Sequence, residues 1–142
     1  AKSGGVATNV GVHFFDMLIW IFGKVKKFEL HFSNPQKMAG YIELERANVK
    51  WFLSLDKDDA PKNNAPYRSI KINDNEFDFS EGFTNLNPEV YKDILKGHGF
   101  GLEDARPSIE FVYQLRNAII NAEAPEEHLH EFFSKKNARR NN

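Results

Sequence analysis

The hydrophobic period of this chain changes at Gly23, and that change restricts the fold more than any other feature. Before it, the stretch Val6 to Phe22 is apolar on nearly all sides, including Val12, Phe14, Phe15, Leu18, Ile19 and Phe22. Its length and spacing predict a helix, with Gly23 as the C-terminal stop. A helix this apolar is normally buried. After Gly23 the period drops to two. Val25 to Ser33 alternates Phe28, Leu30 and Phe32 against Glu29, His31 and Ser33. Tyr41 to Arg46 and Val49 to Leu55 continue as strands, with Asn48 in the turn between them. Arg68 to Ile72 and Glu76 to Phe79 flank Asn73-Asp74-Asn75, a hairpin signal. About five strands joined by short loops favour an antiparallel sheet. Asp56 to Pro66 is the longest polar loop in this region.

Helices return afterwards. Asn87 reads as a cap before Pro88, with the helix running to Lys96 and stopping at Gly97. A second helix is expected from about Glu103 to Ala122, and a short last one over Pro125 to Phe133. The basic, Asn-rich end from Lys135 to Asn142 is expected to fray. No internal repeat is visible. The expected fold class is α+β: an open, predominantly antiparallel sheet with helices packed on one face. Residues 1–124 form the expected domain and 125–142 a tail.

Composition limits the function classes. With 142 residues, 41% hydrophobic and 27% charged, this is one ordinary globular domain. The formal net charge of −1 gives no basic field for nucleic acid or anionic membranes. No uncharged apolar run approaches the roughly 20 residues of a spanning helix. Lys2 is followed by Ser-Gly-Gly, not by the apolar core of a secretory leader. The chain has no Cys, which removes thiol catalysis and Cys-ligated zinc and suits a cytoplasmic location. Because it starts at Ala1 and enters the helix almost at once, it is expected to be part of a longer protein.

The first helix carries the chemistry. At about 100° per residue, Asn9, His13, Asp16 and Trp20 fall within a sector of roughly 60°. Two readings fit this narrow polar stripe. One is a solvated helix side. The other is a site, because an imidazole ordinarily titrates close to neutral pH and can act as general base or acid. Gly4 and Gly5 at the helix start either make a flexible turn or allow a ligand to approach the backbone closely. Other signals are poorer. His128 and His130 suggest a metal pair, but in a helical segment their side chains diverge. Asp56, Asp58 and Asp59 lack the glycine and terminal glutamate of a calcium loop. No metal site is expected.

The run Ser3-Gly4-Gly5-Val6-Ala7-Thr8-Asn9-Val10-Gly11-Val12-His13-Phe14-Phe15-Asp16, followed by Trp20 and Gly23, resembles the first helix of the C-terminal domain in the glucose–fructose oxidoreductase / inositol dehydrogenase (Gfo/Idh/MocA) family. Asn9 stands where many members carry Asp. With the stretch Gly99 to Glu110, and Tyr41 to Glu45, Trp51 to Ser54 and Tyr67 to Ile70, the chain looks like one branch of that family. That branch oxidises UDP-N-acetylglucosaminuronic acid (UDP-GlcNAcA) at the sugar 3-hydroxyl, for surface polysaccharides. The resemblance spans Lys2 to about Ala122.

It implies a dihydrodipicolinate-reductase-like α+β domain whose first helix faces the nicotinamide of NAD(P). The cofactor would be held mainly by an N-terminal Rossmann domain in cis. No G-x-G-x-x-G after a strand occurs in this chain, and Gly97-x-Gly99-x-Gly101 follows a helix with the wrong spacing. No cofactor-binding residue is therefore assigned here beyond the adjacency of Gly4 and Gly5. By resemblance His13 takes the hydroxyl proton as hydride leaves, while a lysine from a Glu-Lys-Pro segment outside this chain steadies the oxyanion. Asn9 would hydrogen-bond the sugar; an amide cannot stabilise an imidazolium by charge. Lys2, Arg68 and Arg106 are candidate partners for the diphosphate and carboxylate of a UDP-sugar; the competing reading makes Arg68 an exposed strand residue and Arg106 a surface charge at a helix start. The resemblance further implies a homo-oligomer built on the open sheet face, to which Phe28, Phe32, Tyr41, Trp51 and Leu53 are expected to contribute. Alternatives are a non-catalytic binding or assembly module and a domain of an NAD-dependent glycosidase on the same scaffold.

Overall fold

The computed structural model describes residues 4–59, 67–73, 75–80 and 86–121. The expected helix at Pro125 to Phe133, the basic end and His128/His130 lie outside them. The described residues of Ala1–Asp56 and Ala105–Asn142 form one compact unit, and those of Lys57–Asp104 a second.

In the first unit, a π-turn over Ala7–Gly11 runs directly into α1, Val12–Phe22. Gly23 ends the helix at φ +88°, a conformation that only glycine adopts cheaply, and its N–H donates to the Ile19 carbonyl at 2.9 Å. The remaining terminal carbonyls are met by the next hairpin: Arg46 Nη2 donates to Ile21 O at 2.6 Å and Arg46 N to Phe22 O at 3.0 Å. A guanidinium at a helix C-terminus also complements its dipole.

Strands β1 (Val25–Ser33), β2 (Lys37–Leu44) and β3 (Asn48–Ser54) form an antiparallel meander in that order. Residues directly opposite each other face the same side. One side therefore carries Leu30, Gly40 and Trp51 in one row, and Phe28, Ile42 and Val49 in the next. This side packs on the helices. Phe15 of α1 is buried and meets Trp51 edge-on at 5.2 Å and Phe111 at 4.9 Å, while Phe28 meets Phe111 at 5.3 Å. Such ring pairs contribute roughly 0.5–1.5 kcal/mol each beyond their area. Phe111 belongs to α3, Leu102–Arg116, whose buried residues Ser108, Phe111, Val112 and Leu115 all lie in the first unit.

The other sheet side differs from expectation. Phe28, Trp51 and Leu53 are on the helix-covered side, and the open side carries Phe32, Ala39, Tyr41 and Phe52. A bulge between Leu30 and Phe32 breaks the alternation of β1, so Phe28 and Phe32 fall on opposite sides of the sheet. At the border of this side Lys37, nearly buried, pairs with Asp56 at 2.8 Å.

Two boundaries also move. The helix expected to begin after an Asn87 cap is α2, Leu86–Leu95, so Asn87 sits inside its first turn, where Pro88 is tolerated because no N–H is yet required. Helix α3 stops at Arg116 rather than near Ala122. Its last turn is drawn off by Asn117, whose side chain donates to Tyr113 O at 2.7 Å. The chain then runs beside β1, bridging Leu30 with Ile120, and Asn121 N donates to Leu30 O at 2.7 Å.

That return segment is tied to β1 by Glu29, whose carboxylate accepts from Lys27 Nζ at 2.7 Å and from Asn121 Nδ2 at 3.1 Å, with His31 Nε2 at 3.4 Å. These hydrogen bonds, Lys27's foremost, hold its pKa down from 4.5 to about 2. A carboxylate with a depressed folded pKa stabilises fully above its unfolded value and loses that contribution as pH falls through the folded one. Acid titration between pH 4.5 and about 2 is therefore expected to weaken the fold more steeply in the wild type than in Glu29→Gln. Thermal melts of both across that window check this, and parallel curves refute it.

In the second unit, a 3₁₀ turn (Lys57–Asp59) precedes the hairpin of β4 (Ser69–Ile72) and β5 (Asn75–Asp78). This is a separate two-stranded sheet, not an extension of the meander as the strand count suggested. Asn73 takes positive φ at its turn. The α+β class stands, with the strands divided between two sheets.

Candidate functional site

Helix α1 and its π-turn have two opposed sides. Ala7, Gly11, Phe15 and Leu18 are buried against the core. Asn9, His13, Asp16 and Trp20 are exposed, and Trp20 is 77% exposed. The polar stripe expected from the sequence thus exists as a surface on a rod anchored below by ring packing and at its end by Arg46. A solvated side chain can exchange protons with a ligand; a walled-in one cannot.

At the amino end, Gly4 and Gly5 both take positive φ, +77° and +81°, and Thr8 Oγ1 donates to Gly4 O at 3.0 Å. Space beyond Gly5 is open: a Cβ there would meet nothing within 4 Å. A cleft of about 280 Å³ lies beside this turn, lined by Gly4, Gly5, Ser33, Asn34 and Arg116 among others. Neither Asn9 nor His13 lines it.

The other named cations belong to different segments of the chain. Lys2 lies outside the described residues. Arg106 is exposed on α3, within the first unit. Arg68 is exposed just before β4 in the second unit, where its backbone N–H donates to Ser80 Oγ at 2.9 Å and its carbonyl accepts from Phe79 N at 3.0 Å. Among the described residues no cluster of His, Asp or Glu could hold a metal ion. No described helix is long and apolar enough to cross a membrane.

Sequence reasoning missed the Glu29 cluster and the π-turn. Nothing local marks either one: the first needs a partner 92 residues away, and the second depends on how the helix seats on β3. Gly11, a glycine inside an apolar helix, was the available signal for close approach.

Residues 1–70 match the model of an oxidoreductase family C-terminal alpha/beta domain. The structure is similar to that of the WlbA (WbpB) dehydrogenase from Thermus thermophilus in complex with NAD and alpha-ketoglutarate, at 45% identity and a TM-score of 0.80 over 87% of this chain and 41% of that one. A structure of the same enzyme with NAD and UDP-GlcNAcA matches at 45% identity and a TM-score of 0.79, over 88% of this chain and 42% of that one. The chain thus spans about two fifths of the length of the solved structures it matches. Pattern, fold and identity agree, and the chain belongs to the Gfo/Idh/MocA oxidoreductase family as a C-terminal α/β domain.

Proposed function

We propose that the intact protein is an NAD(P)-dependent sugar-nucleotide dehydrogenase that oxidises the 3-hydroxyl of UDP-GlcNAcA in the cytoplasm, serving surface polysaccharide synthesis. The supporting observation is the exposed Asn9–His13 stripe, carried on a firmly seated helix in a chain 45% identical to an enzyme solved with NAD and UDP-GlcNAcA.

NAD(P), held by a Rossmann domain in cis, supplies the hydride acceptor. This domain supplies the proton acceptor. A C3 hydroxyl can lose hydride from carbon only as its proton departs from oxygen, and the neutral imidazole of His13 takes that proton. Asn9 donates from its amide to a sugar oxygen and so fixes the ring's orientation. Arg106, Arg68 and Lys2 are the cations proposed for the diphosphate and carboxylate.

The open sheet side serves assembly in this reading. Phe32, Tyr41 and Phe52, all half-buried, share this side with Glu29, Glu43 and Lys50, and in this reading a second copy covers it in a homo-oligomer.

The test is product analysis. Intact protein given UDP-GlcNAcA and NAD is expected to generate reduced nicotinamide absorbance and a 3-keto sugar still attached to UDP. A cleaved glycoside assigns the glycosidase reading instead. No turnover and no binding of the UDP-sugar assigns a non-catalytic module.

A further inference from the structure

The helix that carries His13 does not run as a regular α-helix throughout. Over Ala7–Gly11 its hydrogen bonds run i to i+5. Such a turn advances by roughly 80° per residue, against about 100° in an α-helix. The path from Asn9 to His13 includes two of those slower steps. Their separation about the axis therefore shrinks from about 40° to roughly 0°. His13 stands almost directly one turn along from Asn9.

The same turn places Gly11, midway between them, on the buried side. A Cβ at Gly11 would lie 2.9 Å from Leu53 Cδ1 and 2.9 Å from Phe15 Cε2. Carbon atoms in contact prefer about 3.5–4.0 Å, so any side chain there lifts the helix or displaces both neighbours by roughly 0.6–1 Å. Glycine at this position lets the backbone of the turn rest on β3. Leu53, itself buried, acts as the stop.

We propose that Gly11 is a positioning residue for the reaction. Seated on Leu53, it fixes the distance of the π-turn from the sheet, and the turn aligns the Asn9 amide with the His13 imidazole so that both address one sugar hydroxyl. The proposal rests on His13 being the proton acceptor. Proton transfer depends steeply on this geometry, since a misplacement of about 1 Å costs on the order of 10²-fold.

The experiment compares four variants of the intact protein in steady-state turnover of UDP-GlcNAcA with NAD. Gly11→Ala is expected to lower kcat roughly 10- to 100-fold, leave KM within about threefold, and keep the wild-type shape of the pH profile. Adding Leu53→Val to it removes the obstructing methyl and restores kcat at least fivefold. Leu53→Ala takes away the stop without touching the helix and also lowers kcat at least fivefold. Wild-type kcat in Gly11→Ala overturns the proposal, as does a loss that Leu53→Val fails to relieve. If Gly11→Ala does not fold, wild-type kcat in Leu53→Ala overturns it alone. The fourth variant separates the two levels: activity retained in His13→Ala overturns the proton-acceptor reading, and the positioning role with it, whereas a dead His13→Ala beside a fully active Gly11→Ala overturns the positioning role only.

Discussion

Replacing His13 by Ala in the intact protein is expected to lower turnover by roughly 10²–10⁴, the range spanned by loss of a general base. The effect falls on kcat and on kcat/KM alike, because the proton moves only as the hydride departs. The KM for the UDP-sugar is expected to change little, because in the proposed reading its diphosphate and carboxylate are held by other residues. The fold is unaffected: His13 is exposed, and the core contacts of α1 come from Phe15 and Leu18 on the opposite side. Turnover of His13→Ala within threefold of wild type removes His13 from the mechanism.

Gly40→Ala is expected to destabilise the domain by about 3 kcal/mol or more. Against a typical total of roughly 5–15 kcal/mol, that is enough to lose much soluble protein. Gly40 lies in the middle of the central strand, opposite Leu30 on one side and Trp51 on the other. A Cβ there would collide with the Glu29 carbonyl oxygen and lie 2.7 Å from Trp51 Cζ2. A side chain can swing aside, but the carbonyl is backbone in the β1–β2 ladder and can retreat only by breaking pairing. Trp51 also cannot move freely, because it packs edge-on against Phe15. Urea denaturation measures the loss. A midpoint close to wild type shows that the sheet absorbs the methyl and that the tight fit is not real. A Trp51→Leu background relieves only the ring half of the collision, so Gly40→Ala remains costly there.

These two positions mark what local sequence can and cannot reveal. The exposed position of His13 beside Asn9 on the helix was legible because a helix puts residues four apart on one side whatever surrounds it. The same holds for the stop at Gly23 and for the alternation in β2, where Ile42 and Leu44 face the core as their spacing requires. Gly40 carries no comparable sign. Its constraint comes from Glu29 and Trp51, both eleven residues away. Phe28 was assigned to the open side together with Phe32 because alternation assumes an unbroken pleat, and the bulge after Leu30 breaks it and leaves Phe28 on the core side.

The chain's own pattern determined that an apolar helix precedes antiparallel strands and that helices follow, since helix and strand periods are properties of consecutive residues. It also determined the polar stripe of Asn9, His13, Asp16 and Trp20. Tertiary structure alone decided that β4 and β5 pair apart from the meander, that residues beyond α3 return to bridge β1, and that Ala7–Gly11 form a π-turn resting through Gly11 on Leu53. Each of these depends on which distant surfaces fit together at van der Waals distance. Such a fit is a property of pairs of segments, and no single segment contains it.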